Sequence, residues 1–337
     1  LTGWWQHSHT DDRRLARLAV FCSDNQLLGV APFYRQRVAG RYDVLRLLGA
    51  GDVCSEYLGL LVEPAAEREV ACALAQWLTA PVGVQHGAVR KPVDRITADQ
   101  TASAPKLTWD SLELSPIAAS DTTTIRLVEQ LAGRGCVTHE RPAAPCWRIE
   151  LADSWDGYLA RLSKSHRKQI RRLTRANWDS GRLVLHSADS AETLRRGIDI
   201  LIDLHQRRRQ HLGQPGCFAD AAYTAFHREA MQGLLDAGQL HLNWIERDGR
   251  PLAIDYALTG GDTVYIYQGG MEPTALDAEP GRLSMIATLR RAIDDDYRIV
   301  DLLRGDEAYK AHWRAEPKPM LDVRVVPNRT TARVRHQ

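Results

Sequence analysis

Residues 263–294, TVYIYQGGMEPTALDAEPGRLSMIATLRRAID, decide the fold. Their first part predicts a strand that ends in two glycines, and residues 283–293 have apolar side chains at helical spacing. A strand, a glycine-bearing loop and a helix start predict an anion site, because the first N–H groups of a helix lack partners within it and its dipole favours negative charge. Gly281 would let the backbone approach an anion, and Arg282 would add positive charge. The alternative is that Pro280 simply starts the helix.

A second stretch, residues 299–313 with the sequence IVDLLRGDEAYKAHW, predicts a buried strand that carries charged residues. Asp301 interrupts its apolar run, and Arg304 stands at its end. A buried charge is costly unless it is paired, so we expect Asp301 and Arg304 to pair with each other or with other groups. They form either a structural salt bridge or part of a functional site. Lys310 is either a functional group or a solvated lysine.

Together the two stretches resemble the CelD/BcsL-like acetyltransferases, a group of the GCN5-related N-acetyltransferase superfamily that is close to the Fem-type peptidyl transferases. The resemblance lies in a small-Pro-Gly step before a helix, and in a strand that ends Asp-x-x-Arg-Gly before Tyr-Lys, here Asp301 to Lys310. It covers most of the chain and is strongest from residue 238 to residue 314.

The resemblance implies an α/β (α+β) fold with two acyltransferase-like domains in tandem, each a mixed, mostly antiparallel sheet flanked by helices. We expect an N-terminal domain over residues 1–150, truncated at its start and without a CoA site, and a C-terminal acyl-CoA acyltransferase domain over residues 151–337. A pattern shared by residues 18–30 and 242–254, each a strand, an acidic turn and a strand, supports the repeat.

The resemblance also implies a site for acetyl-CoA or another acyl-CoA. Its pyrophosphate loop would be Gly281, Arg282, Leu283 and Ser284, its splayed strand would carry Gln268 and Gly269, and its catalytic residues would be Lys310, Asp301 and Arg304. Of the fuller glycine pattern of the superfamily only Gly281 is present. Fem-type relatives also lack that pattern and use aminoacyl-tRNA, so the acyl donor stays open between CoA and tRNA.

An amine that attacks a thioester must lose a proton, and the resulting oxyanion must be stabilised. The sequence leaves Asp301, Asp255 and His205 as candidates for the base, with water as an alternative carrier of the proton. Backbone N–H groups near Gly269, or Lys310, are candidates for stabilising the oxyanion.

A strongly basic segment, Arg161 to Arg175, has seven cationic residues and no acidic one, within a helix predicted from Trp155 to Ala176. One interpretation is a solvated face whose arginine stems cover the core. The other is an anion site for nucleotide phosphates, tRNA or acidic lipid.

The bulk composition indicates a globular protein. The chain has 337 residues, 44% of them hydrophobic, and a formal net charge of only +2, which gives no argument for a nucleic-acid partner. No apolar run approaches the length of a membrane helix, and the six cysteines lack zinc-site spacing, so we predict no transmembrane segment, no metal and a cytoplasmic protein with reduced thiols.

Three functions follow from these expectations. The first is transfer of an acetyl or other acyl group from acyl-CoA to an amine or a sugar hydroxyl, on a small-molecule, saccharide or peptide acceptor, in envelope or exopolysaccharide synthesis. The second is a Fem-like ligase that depends on aminoacyl-tRNA, and the third is a degenerate acyltransferase fold that acts as a binding module. Sequence alone predicts neither the acceptor nor the oligomeric state.

Overall fold

The computed structural model describes residues 5–7, 10, 12–51, 55–80, 93–98 and 108–328. The described residues fall into two compact units. The first contains the residues up to Ala144 together with those from Pro319 onward, and the second runs from Pro145 to Lys318.

Among its described residues, the first unit has strands in two sheets and two helices of ten residues or more. Its strands are β1 Arg13–Leu15, β2 Leu18–Cys22, β3 Leu27–Ala31, β4 Phe33–Val38, β5 Tyr42–Leu47, β6 Leu61–Val62, β7 Val93–Ala98, β8 Ser111–Ala118, the first part of β9 Val137–Glu150 and most of β15 Glu316–Val326. Its helices are α1 Glu67–Thr79 and α2 Thr122–Ala132. The strand orders are β1-β4-β5-β8-β15-β9 and β6-β3-β2-β7, and one core contains both helices and residues of both sheets.

The second unit has one sheet flanked by helices. Its strands are the second part of β9, then β10 Leu183–Ser187, β11 Leu240–Arg247, β12 Arg250–Gly260, β13 Thr263–Met271 and β14 Ile299–Arg304. Its helices are α3 Trp155–Arg161, α4 Lys164–Asn177, α5 Ala191–His211, α6 Ala221–Asp236, α7 Pro280–Asp294 and α8 Tyr309–His312. The strand order is β9-β14-β13-β12-β11-β10, and only the β13–β14 pair is parallel.

Alternation along β12 explains why helices cover both faces of this sheet. Ala253 and Ala257 belong to the core that contains α7, whereas Ile254 and Tyr256 belong to the core that contains α5 and α6. Successive side chains of a strand point to opposite faces, so one apolar strand supports a helix layer on each side. The predicted fold class, a mixed and mostly antiparallel sheet flanked by helices, is confirmed.

Strands β13 and β14 stay paired over a short distance only. The pairs are Thr263 with Ile299, Val264 with Val300 and Tyr265 with Asp301. Beyond them β13 runs on to Met271, and its register with β12 shifts after Ala257. A shift of this kind bends a strand. The two strands therefore part near the middle of the sheet, and Gln268 and Gly269 lie on β13 beyond the last pair.

Two boundaries differ from the sequence-based expectations. The helix predicted from Trp155 to Ala176 is two helices, because the Ser163 hydroxyl accepts a hydrogen bond from the His166 N–H and starts α4 anew. The second unit ends at Lys318 rather than Gln337, because β15 pairs with β8 of the first unit. That the first unit is an acyltransferase-like domain without a CoA site stays a prediction.

Helix α5 approaches β13 closely at Gly270. A Cβ atom on Gly270 would lie 2.7 Å from the His205 backbone nitrogen and 2.8 Å from the Leu204 Cβ. Both obstacles belong to the helix itself, so the strand accepts only glycine there.

We expect Gly270→Ala to lower the free energy of unfolding by about 2 kcal/mol, because overpacking forces the helix away from the sheet. Urea denaturation measures the change. Gly233→Ala in α6 is the control, since its Cβ would meet no atom within 4 Å and alanine stabilises a helix interior. Equal stability of the Gly270→Ala variant and the wild type would contradict the close approach.

Candidate active site

Helix α7 begins beside the end of β13. Its N-cap residue, Glu279, has a left-handed backbone with φ 56°, and Pro280 occupies the first turn. The Arg282 and Leu283 N–H groups both donate to the Glu279 carbonyl at 3.0 Å. Pro280 has no N–H, so Gly281 supplies the N–H that this helix start can offer to an anion.

The Glu279 carboxylate lies among positive and polar groups. It accepts hydrogen bonds from Gln169 Nε2 at 2.8 Å and Arg172 Nη2 at 2.5 Å, and it also pairs with Arg282. Burial and the neighbouring Arg172 charge lower the pKa of the Arg282 guanidinium. Arg172 of helix α4 thus adds a positive charge to the predicted anion site, and the Glu279 carboxylate adds a negative charge at the same place.

The four residues predicted for the pyrophosphate loop divide into two pairs. Gly281 and Arg282 lie at the start of α7 and remain partly accessible. Leu283 is fully buried in the core, and the buried Ser284 donates its hydroxyl proton to Asp255 Oδ2 at 2.7 Å. The side chains of Leu283 and Ser284 therefore support the sheet from within.

Asp255 lies on β12, opposite Gly269 of β13. Its Oδ2 accepts hydrogen bonds from Ser284 and, at 2.8 Å, from the Thr288 hydroxyl one turn further along α7. Burial raises the pKa of the Asp255 carboxyl, against the effect of these two hydrogen bonds. Gly269 is exposed, and a Cβ there would lie 3.2 Å from Asp255 Oδ1.

Asp301 and Lys310 provide hydrogen-bond partners for the backbone N–H and C=O groups of β14 where this strand separates from β13. The Asp301 carboxylate is fully buried, receives Arg148 Nε at 2.7 Å and accepts the Leu303 N–H at 2.8 Å. The Lys310 ammonium donates to the carbonyls of Leu302, Leu303, Arg304 and Gly305 at 3.0–3.3 Å, and pairs with Glu307 at 3.0 Å.

These contacts explain why the strands part. Backbone groups need hydrogen-bond partners, and here a carboxylate and an ammonium replace the neighbouring strand. Leu303 also has a left-handed backbone, φ 52°, which turns the strand end. Arg304 is exposed at that end. Asp301 finds its partner in Arg148 of β9, which sequence reasoning missed because the two residues are far apart in the chain.

Tyr309 is a further residue near the opening that sequence reasoning did not single out. It is half-exposed at the start of α8. Burial of its hydroxyl end and the negative charges of Glu307 and Asp255 raise its pKa to about 12. Tyr309 therefore stays protonated at neutral pH, and its hydroxyl is available as a proton donor. Its position directly before Lys310 in the recognised motif was the available signal.

On the opposite face, His205 joins a chain of hydrogen bonds. Its Nδ1 lies 3.1 Å from the Gly269 carbonyl, and its Nε2 lies 3.3 Å from Cys217 Sγ. Burial lowers the pKa of His205, so the ring is neutral. The Gly269 carbonyl can only accept, hence Nδ1 carries the proton and Nε2 faces the thiol.

The basic helix α4 lines a groove of about 590 Å³ on the outer surface of the second unit. Trp155 and Leu159 of α3 contribute apolar lining. Across the part of the chain that the structure describes, no ion pair forms with the five cations that line the groove, which are Lys164, Arg167, Lys168, Arg171 and Arg175.

Two kinds of feature are missing from the described residues, a cluster of metal ligands and a membrane-spanning helix. Within the described ranges, no group of three or more His, Cys, Asp or Glu side chains could hold a metal ion. Over the same residues, every helix is too short or too polar to cross a membrane.

Comparison with known proteins bears on the second unit. Residues 164–311, which lie within it, match the model of the family described as "Acetyltransferase (GNAT) domain". No curated protein sequence matches the chain. FemX has a similar fold, with a TM-score of 0.63 at 12% identity over 100% of this chain and 94% of its own. A conserved protein of unknown function from Bacteroides thetaiotaomicron has a TM-score of 0.54 at 10% identity, over 97% and 88% of the two chains.

We expect Lys310→Met to lower the free energy of unfolding by about 3 kcal/mol, because four carbonyls and a carboxylate lose their shared donor. Chemical denaturation measures the loss. Lys164→Met, at an exposed position of α4, should change stability by less than about 0.5 kcal/mol. A loss below about 1 kcal/mol for Lys310→Met would show that the ammonium does not hold the strand end.

Proposed function

We propose that the protein is an acyltransferase that moves an acetyl or other acyl group from acyl-CoA to an amine or a sugar hydroxyl. The parting of β13 and β14 beside the start of α7 carries this proposal. An opening between two strands suits the narrow pantetheine arm of CoA. The matched segment, residues 164–311, contains both features.

The residues at the start of α7 fit a diphosphate in part. Gly281 supplies an N–H at the positive end of the helix dipole, and Arg282 and Arg172 supply charge. Glu279 opposes an anion at the same place, and a bound diphosphate would have to displace this carboxylate from its cations. When bound, acyl-CoA would supply an acyl group that is activated as a thioester.

The remaining contribution of the protein is positioning and stabilisation of charge. Beyond Tyr265 strand β13 has left β14, so backbone N–H groups near Gly269 are candidates for binding the developing oxyanion. The contacts of Lys310 favour a positioning role in which the ammonium fixes the second wall of the opening. Arg304, exposed at the strand end, is our candidate for contacting substrate.

We further propose membership of the CelD/BcsL-like group, a cytoplasmic location, and a saccharide, peptide or small-molecule acceptor in envelope or exopolysaccharide synthesis. The Asp301-to-Lys310 motif supports the group. The five cysteines among the described residues are all free thiols, which supports a reducing compartment. The first unit, in this proposal, is an acyltransferase-like domain without a CoA site.

A second candidate is a ligase that uses aminoacyl-tRNA. Two observations favour it: the Glu279 carboxylate within the anion site, and the unpaired cations in the α4 groove. The groove is lined by five cations, the Trp155 ring and only two carboxylates, those of Asp156 and Asp179, and an excess of positive charge beside an aromatic ring suits a nucleic-acid backbone. If the protein binds neither acyl-CoA nor aminoacyl-tRNA, the third alternative remains, a degenerate fold that acts as a binding module.

Calorimetric titration with acetyl-CoA tests the first candidate. We expect micromolar binding by the wild type and about tenfold weaker binding by Arg282→Ala, through loss of a charge-assisted hydrogen bond. Glu279→Gln should bind more tightly, because it removes the competing charge. Arg195→Ala, exposed on α5, is the control. No binding by the wild type at millimolar acetyl-CoA would rule out the CoA proposal.

Titration with tRNA tests the second candidate. If tRNA is the donor, binding should weaken steeply with salt, and Lys168→Glu with Arg171→Glu should reduce the slope of log K against log salt by about 2. A matched double reversal, Arg126→Glu with Arg195→Glu, alters exposed arginines outside the groove and should leave the slope nearly unchanged. Equal slopes for both double variants would exclude the groove as the tRNA site.

A further inference from the structure

Two of the three candidate bases have their proton-accepting atoms already engaged. In His205 the Nδ1 proton is donated to the Gly269 carbonyl, and the Nε2 lone pair faces the Cys217 thiol. In Asp301 one oxygen receives Arg148 and the other receives the Leu303 N–H, within a fully buried side chain. Neither group presents an acceptor atom toward the opening between β13 and β14.

Asp255 differs in how its two oxygens are used. Both hydroxyl donors, from Ser284 and Thr288, converge on Oδ2. Oδ1 lies under Gly269, at 3.2 Å from the position that a Cβ would occupy there. Gly269 is exposed and has no side chain to cover Oδ1, and Asp255 itself is partly exposed.

We infer that Asp255 is the catalytic base, the carboxylate that takes the proton from the attacking amine. This inference rests on the proposed acyltransferase function and names the group that the sequence left undecided. Gly269 serves the same step by leaving Oδ1 uncovered. Ser284 and Thr288 act as positioning residues, since their hydroxyls fix Oδ2 and so orient Oδ1 toward Gly269.

The amine nitrogen forms a bond to the acyl carbon, and its proton passes to the Asp255 carboxylate. The bond from the acyl carbon to sulfur breaks, and its electron pair leaves with the sulfur. The thiolate takes a proton from the Tyr309 hydroxyl, which stays protonated at neutral pH. Asp255 and Tyr309 then return to their starting states by proton exchange with solvent.

The surroundings of Asp255 set the direction of its pH dependence. The Ser284 and Thr288 hydroxyls of α7 donate hydrogen bonds to Asp255. Tyr309, at the start of α8, interacts electrostatically with both Asp255 and Glu307. Burial outweighs the two hydroxyls and raises the pKa of Asp255 above that of an exposed aspartate. A base is active when ionised, so the rate should rise with pH through this raised pKa.

The test combines donor binding with rate measurements. Release of CoA thiol from acetyl-CoA is followed against pH, with hydroxylamine, glucosamine and a lysine-containing peptide as acceptors. We expect Asp255→Asn to bind acetyl-CoA as tightly as the wild type, to lose about a hundredfold or more in rate, and to lose the acidic limb of the profile. Thr288→Val, which removes one stabilising hydrogen bond, should shift that limb to higher pH. Asp294→Asn, exposed at the end of α7, should match the wild type.

Asp255→Asn that binds donor normally and keeps both its rate and its acidic limb would overturn the inference, while leaving the proposed function intact. Wild-type protein that fails to bind acetyl-CoA would instead contradict the proposed function. An infrared difference spectrum between wild type and Asp255→Asn reads the protonation of this carboxyl without any acceptor. A carboxyl that stays protonated across the pH range in which the enzyme is active would also overturn the inference, because a protonated carboxyl cannot take the proton.

Discussion

Strands β13 and β14 run parallel and pair only as far as Tyr265 and Asp301, and the candidate site depends on what replaces that pairing. A parallel strand that leaves its neighbour exposes N–H and C=O groups that need partners. In this protein the Asp301 carboxylate accepts a hydrogen bond from the Leu303 N–H of β14. The Lys310 ammonium donates hydrogen bonds to carbonyl groups of the same strand. Two buried charges thereby hold open a gap in a sheet that would otherwise close.

Each buried charge has a counterpart that makes its burial tolerable. Arg148 pairs with Asp301, and Glu307 pairs with Lys310, so neither side chain is left as an uncompensated ion in the core. On the other side of the gap, Gly269 and Gly270 let β13 pass close to Asp255 and to α5, where larger residues would collide. The opening thus depends on the charged groups of Asp301 and Lys310 beside β14, and on the two glycines of β13.

The same segment brings two opposing electrostatic features together. The start of α7 with Arg172 and Arg282 attracts an anion, while Glu279 supplies a negative charge from within the chain. Asp255 lies on β12 against this helix, and its pKa is raised because desolvation outweighs the hydrogen bonds from Ser284 and Thr288. A donor with a diphosphate therefore meets a site whose affinity depends on how easily Glu279 moves away.

Local pattern was sufficient to predict the strand that ends in Gly269 and Gly270, the helix that follows it and the buried strand around Asp301, whereas the mostly antiparallel sheet was an implication of the family resemblance. These features follow from the order of apolar and polar residues over short distances, which the sequence states directly. Apolar spacing does not predict every helix boundary. It predicted one continuous helix around Ser163, whereas the capping hydrogen bond of Ser163 starts a second helix there. Only the tertiary structure decided that Asp301 pairs with Arg148, that Lys310 is enclosed by carbonyls, and that Asp255 lies under Gly269. These partners are brought together by strand pairing and turn geometry, and a buried charge takes its role from whichever groups the fold places around it.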